Sequence, residues 1–219
     1  MHAVELDDGE PIPDLAGYDI LLVMGGPMDV WEEDIHPWLK AEKAAIRAWV
    51  CAGRPYLGMC LGEQLLAVAM GGAVQLMTAP PEVGMSEVSL APDPIFDGIG
   101  TLCTCFQWHG AEVAELPPGA RLLATSPGCA VQGFAIGHHA YGLQFHLELT
   151  ETTAAEWGAL PAYAQALEKV KGQGAMAALE AEVNRNLPAL KTTAAILVSN
   201  FLKLAEAALR EQARAQSFV

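Results

Sequence analysis

The chain has 219 residues, a net charge of −14 from 26 acidic and 12 basic residues, and a hydrophobic content of 52%. That length suits one domain or two small ones with a substantial core. The acid excess and the lack of a basic stripe exclude a nucleic-acid partner. No apolar run in the sequence reaches the roughly 20 residues of a membrane span, so no membrane partner is expected. The start, Met1 to Asp8, has no basic and apolar signal-peptide regions. Five cysteines, an odd number without a dense framework, suit a reducing, cytoplasmic setting.

Strand-like runs are predicted at Val4–Leu6, Ile20–Met24, Pro55–Met59, Val74–Met77, Glu87–Leu90, Thr101–Phe106, Arg121–Thr125, Ala130–Ile136 and Tyr141–His146. Helices are predicted between the early strands. Trp38 to Val50 carries Leu39, Ile46, Trp49 and Val50, with Gly53 as its stop, and Glu63 to Met70 runs into Gly71-Gly72. Strands alternating with helices predict a parallel sheet covered on both faces. From Glu82 to Glu148 short strands follow one another between Pro, Gly and Asp turns, including a hairpin at Gly137–Ala140. Beyond Glu148 the pattern is helical, over Thr153–Trp157, Ala162–Lys171, Ala175–Asn186 and Leu190–Ala213. In the last of these, Leu190, Ala194, Leu197, Phe201, Leu204 and Leu209 form the apolar stripe of a core-covering helix.

Chemistry concentrates at Gly58-Met59-Cys60-Leu61-Gly62-Glu63-Gln64. A cysteine between an apolar strand and a helix, with glycines two before and two after, has the pattern of a nucleophile elbow with sulfur in place of a serine hydroxyl. The glycines relieve a turn too tight for side chains. The helix N-terminus favours a thiolate. Cys51, Cys103, Cys105 and Cys129 lack this context and are expected as small core residues. Cys103-x-Cys105 has no second pair at zinc-site spacing, so no metal is implied.

A cysteine nucleophile needs a base, and the base an orienting group. Among six histidines, His2 lies at the chain end, His36 at a helix entry, and His138 and His139 in a turn. His146 ends the strand Tyr141–His146, and Glu148 lies two residues on, so both project from one face. Glu148 is therefore expected to orient the His146 imidazole. Met24-Gly25-Gly26-Pro27 closes an earlier strand, where a double glycine makes either a tight turn or a close backbone approach to a ligand. In the second case the N–H groups of Gly26 and Leu61 together form an oxyanion hole.

Gly-Gly-Pro, Gly-x-Cys-x-Gly-x-Gln and His-x-Glu together resemble class I glutamine amidotransferase domains, whose triad is Cys-His-Glu. Gly25-Gly26-Pro27-Met28, His36-Pro37-Trp38-Leu39, Phe106-Gln107-Trp108-His109-Gly110 and Asn200-Phe201-Leu202 are similar to the branch that includes the amidotransferase subunit of GMP synthase. The resemblance implies a flavodoxin-like α/β fold: a mostly parallel sheet, helices on both faces, and a helical C-terminal tail. Residues 1–150 are then the amidotransferase domain and residues 151–219 a helical extension packed on it. It implies that Cys60 attacks the glutamine side-chain amide, that His146 protonates the leaving ammonia and that Glu148 orients His146. Gln64, Gln107, Trp108 and His109 would hold the substrate, although Trp108 reads equally well as a core aromatic. No cofactor is implied.

The chain departs from the family pattern at two places. Leu147 stands where the family usually has proline. The family's opening strand and helix, of about thirty residues, lack a counterpart ahead of Val4–Leu6, which predicts an exposed strand edge and low stability or self-association. Three functions stay open on the sequence: a glutamine amidotransferase whose ammonia goes to a separate synthase partner, a stand-alone γ-glutamyl amide or peptide hydrolase, and a catalytically idle regulatory subunit.

Overall fold

The computed structural model describes residues 1–216, so the last three residues of the expected extension lie outside the described residues. The elements in chain order are β1 (Leu21–Val23), α1 (Trp38–Cys51), β2 (Tyr56–Met59), α2 (Leu61–Ala69), β3 (Ala73–Leu76), β4 (Glu82–Leu90), β5 (Leu102–His109), β6 (Ala111–Glu115), β7 (Arg121–Thr125), β8 (Gly133–Ile136), β9 (Ala140–Leu143), α3 (Thr153–Gly158), α4 (Pro161–Lys171) and α5 (Met176–Gln216).

Seven strands form one sheet in the order β1-β2-β9-β8-β7-β4-β5, and β3 pairs with β6 in a separate ribbon. The fold is the expected α/β sheet with helices and a helical tail. Its parallel part is confined to β1, β2 and β9, and the remaining pairings are antiparallel. Short connections account for this: β8 turns into β9 through three residues, a hairpin length that enforces antiparallel pairing. Beyond β9, the chain bridges β5 through Phe106 and His146, so the sheet curls on itself.

In β2 and β9 every residue is buried, as befits strands covered on both faces. Their side chains alternate accordingly. Tyr56 and Ala140 join the core under α1 and α2, whereas Leu57, Met59, Tyr141 and Leu143 join the core under α5. A third apolar cluster, including Trp108, Leu149, Leu167 and Leu179, lies beneath α3 and α4.

Three expectations need correction. Val4–Leu6 is not a strand; bonds from Gly9 N to Leu6 O and from Glu10 N to Glu5 O fold it into a turn. The two predicted helices split at residues 187–189 are one helix, α5, which runs through Pro188. Buried Leu187 and Leu190 on either side hold the helix against the core, so tertiary packing overrides the lost backbone bond. Cys51 is exposed, whereas Cys103, Cys105 and Cys129 are buried as expected.

α5 is long and apolar enough, by length and composition, to cross a membrane, although its apolar residues form no unbroken run. Its buried residues Leu179, Val183, Leu187, Leu190, Leu197 and Phe201 share one stripe against the cores, and Asn200 Nδ2 donates to Ile95 O and Asp97 O. At the other side of the molecule β1 is an edge strand. Among the described residues nothing pairs with its outer side, and Leu22 and Met24 are about half exposed.

Candidate active site

Cys60 sits between β2 and α2 with φ 53° and ψ −108° and is the one non-glycine at positive φ among the described residues. That strain persists because the surroundings over-determine it. Cys60 N donates to Leu143 O at 2.8 Å, and Gln64 N donates to Cys60 O at 3.2 Å. The flanking glycines are sterically required. A Cβ on Gly58 would lie 2.5 Å from the Gly62 carbonyl, and one on Gly62 would lie 2.2 Å from Val23 O. Gly142 on β9 gives way in the same manner to Glu63, whose Cγ would be 2.6 Å from an added Cβ.

His146 is held by its own backbone: it exchanges both hydrogen bonds with Phe106 of β5, at 2.8 and 3.0 Å. Its Nδ1 lies 2.6 Å from Glu148 Oε1. A carboxylate there fixes the proton on Nδ1 and leaves Nε2 for the sulfur side. Gly25 lies against both catalytic candidates, since a Cβ on it would be 3.3 Å from Cys60 Cβ and 3.3 Å from His146 Cε1. Burial alone would pull the His146 pKa down, but the Glu148 carboxylate and a hydrogen bond with Cys60 outweigh it and push it up to about 10. Burial would raise Glu148, yet the His146 charge and the Leu147 N–H, 2.8 Å from Oε2, hold its carboxyl below the usual range. The ring of Trp157 on α3 packs edge-on against the His146 ring, centroid to centroid 4.7 Å.

A cavity of about 60 Å³ opens beside Cys60. Gly26 and Leu61 line it, and a Cβ on Gly26 would come within 3.1 Å of the Leu61 side chain. Leu61 begins α2, so its N–H has no partner inside the helix. Gln64, Trp108 and His109 also line the cavity, together with Asp29 and Tyr163. Burial, and secondarily the charge of Glu32, raises the Asp29 carboxyl.

Not every predicted substrate contact is free to bind. Gln64 Nε2 already donates to Gln144 Oε1 at 2.8 Å. His109 is engaged at both ring nitrogens, by Ala111 O at 2.9 Å and Glu82 Oε2 at 3.1 Å. Gln107 does not line the cavity. Strand alternation turns it to the opposite face from Trp108, where its Nε2 donates to Gln132 Oε1 at 2.9 Å. Trp108 combines both readings: it is 1% exposed in the core beneath α3 and α4, and it lines the cavity.

Trp157 and Tyr163 were not singled out by sequence reasoning. They lie in helices after the His-x-Glu motif, and no spacing rule ties such positions to the elbow. An aromatic pair just downstream of the predicted base was the available signal.

The chain is similar in sequence and fold to known proteins. The chain is 33% identical over 154 residues to a glutamine-hydrolyzing GMP synthase subunit of Sulfurisphaera tokodaii, covering 69% of this chain and 79% of that protein. It is 34% identical over 150 residues to a glutamine amidotransferase-like protein of Salmonella typhimurium, covering 65% and 62% of the two chains. The fold matches a crystal structure of a glutamine amidotransferase from Thermotoga maritima with a TM-score of 0.80 at 32% identity, over 90% of this chain and 84% of the other. The family model for class-I glutamine amidotransferases matches residues 2–157, and the chain belongs to that family, whose members hydrolyse the amide of glutamine.

Proposed function

We propose that the chain hydrolyses glutamine through a Cys60 thioester and passes the ammonia to a separate synthase partner. The observation that carries this reading is the strained Cys60 elbow facing a histidine whose Nδ1 is held 2.6 Å from a carboxylate.

His146 rests as the imidazolium, in keeping with its upward shift, and Cys60 reacts as the thiolate. The thiolate attacks the side-chain carbonyl carbon, and the oxyanion meets the N–H groups of Gly26 and Leu61. One such donor is worth ~3 kcal/mol of barrier. The C–N bond breaks as His146 gives its proton to the departing nitrogen, releasing ammonia and leaving a γ-glutamyl thioester. Neutral His146 then takes a proton from water, and the hydroxide attacks the thioester. Glutamate leaves, and thiolate and imidazolium are restored. Glu148 keeps Nδ1 protonated throughout. Asp29, the acidic side chain among those lining the cavity, suits the substrate α-ammonium.

The synthase partner is supported by the Sulfurisphaera relative, itself named for one part of GMP synthase. Ammonia and glutamate released in equal amounts from glutamine, and lost in Cys60→Ala, is the expected result. A folded wild-type sample that releases neither, alone or with the synthetase part of a GMP synthase, overturns it.

A further inference from the structure

We infer that Tyr163, carried on the hinged helix α4, is a specificity-determining residue that limits the leaving group at Cys60 to the size of ammonia; this rests on the glutaminase reading above. Tyr163 lines the cavity with Cys60. Burial, and then electrostatic repulsion from the nearby Cys60, raises the phenol pKa. Among the described residues its hydroxyl makes no hydrogen bond, while its backbone O accepts from Trp108 Nε1 at 3.2 Å. Its ring packs on Trp108 at 5.4 Å and on Trp157 at 5.8 Å between centroids. The phenol therefore stands beside the nucleophile as a wall.

That wall leaves about 60 Å³. Small-molecule sites are commonly ~300 Å³ or more. An outward shift of α4 would widen this space for glutamine, and with Tyr163 in place beside Cys60 an amide with a bulky amine meets the phenol.

Apart from the Tyr163 contacts, α4 is lightly buried. Leu167 is its one fully buried residue. It ends at Gly172, and Gly172 and Gly174 hold φ of 86° and 75° with open space around both. These two glycines form a hinge at one end, and Leu160-Pro161 marks the other. α3 is anchored differently, with Trp157 against His146, so the swing belongs to α4 and not to the triad.

The test compares glutamine with γ-glutamyl-p-nitroanilide in wild type, Tyr163→Ala and Tyr163→Phe. The anilide-to-glutamine ratio of kcat/KM is expected to rise at least tenfold in Tyr163→Ala and to stay unchanged in Tyr163→Phe. A second readout does not depend on turnover. In a Cys51→Ser background, a bulky aromatic methanethiosulfonate should modify Cys60 far more slowly than methyl methanethiosulfonate does, and Tyr163→Ala should abolish that difference. Glutamine turnover with both readouts unchanged in folded Tyr163→Ala overturns the inference. Absent glutamine turnover in folded wild type, alone and with the synthetase part of a GMP synthase, together with lost thiol size selection in Tyr163→Ala supports the filter and refutes the glutaminase reading instead. Where Tyr163→Ala does not fold, Gly172→Ala takes its place: it strains the closed hinge, and the same loss of thiol size selection is expected. Unchanged selection there overturns the inference.

Discussion

The backbone N–H of Leu147 donates to Glu148 Oε2 at 2.8 Å, on the carboxylate whose other oxygen holds His146. Proline, usual at this place in the family, has no such donor. The departure at residue 147 thus adds a hydrogen bond to the orienting carboxylate. The Leu147 side chain is also buried in the core under α5. Leu147→Pro should cost about 2–4 kcal/mol of stability, mainly through lost packing. It should also move the acid limb of activity to higher pH as Glu148 loses a donor. Denaturant titration and a pH–rate profile check the two effects.

The His146–Glu148 pair makes stability depend on pH in a defined window. His146 is raised to about 10. Its contribution is complete below its unfolded value of about 6.5 and is lost as pH rises through about 10. Glu148 is lowered, so its contribution is present above about 4.3 and is lost as pH falls through its folded value. The Tm gap between wild type and Glu148→Gln should be widest between about pH 4.3 and 6.5 and should narrow on both sides. The same variant should lower kcat by about 10²–10⁴-fold.

Glu63 lies on α2 just past the nucleophile, is fully buried, and neither carboxyl oxygen has a hydrogen-bond partner among the described residues. Burial, with the Cys60 charge adding, raises its pKa well above the usual range. The unfolded chain ionises this group at ordinary pH and the folded chain does not, so folding stability falls as pH rises. Glu63→Gln should therefore stabilise the protein by about 1 kcal/mol or more near neutrality. The gain should shrink below about pH 4.3, where both states are protonated. Thermal melts across pH measure it.

Gly62→Ala tests the steric logic of the elbow. Its Cβ would press on Val23 O at 2.2 Å. β1 leads directly into Gly25-Gly26, so relief of the clash displaces the Gly25–Gly26 loop beside Cys60. A loss of about 1–3 kcal/mol in stability is expected, with a larger fractional loss of activity. Calorimetry beside a glutaminase assay separates the two.

The elbow and His-x-Glu were legible because local rules govern them: glycine sterics at a strand–helix turn, and the period of two along a strand. β4 and β8 were placed with shifted ends, and β6 was missed. The His109–Gly110 corner that separates it from β5 carries no strong turn dipeptide. Pro188 divided α5 on paper because propensity does not register the contacts of Leu187 and Leu190. The mostly parallel sheet was overestimated because pairing direction depends on connections between distant strands. Gln107 was placed in the site by motif adjacency, and the strand pleat turned it away. Trp157 and Tyr163 reach the site only through the tertiary path of α3 and α4.

The most direct test of the account is the covalent state of Cys60 during turnover. Acid-quenched samples taken with saturating glutamine should carry one γ-glutamyl group on the Cys60 peptide by mass spectrometry. That group should accumulate further in Glu148→Gln if slowed deacylation limits the variant, and it should be absent from Cys60→Ala. Glutamine hydrolysis by Cys60→Ala at the wild-type rate, or a γ-glutamyl group on another residue, would contradict the account.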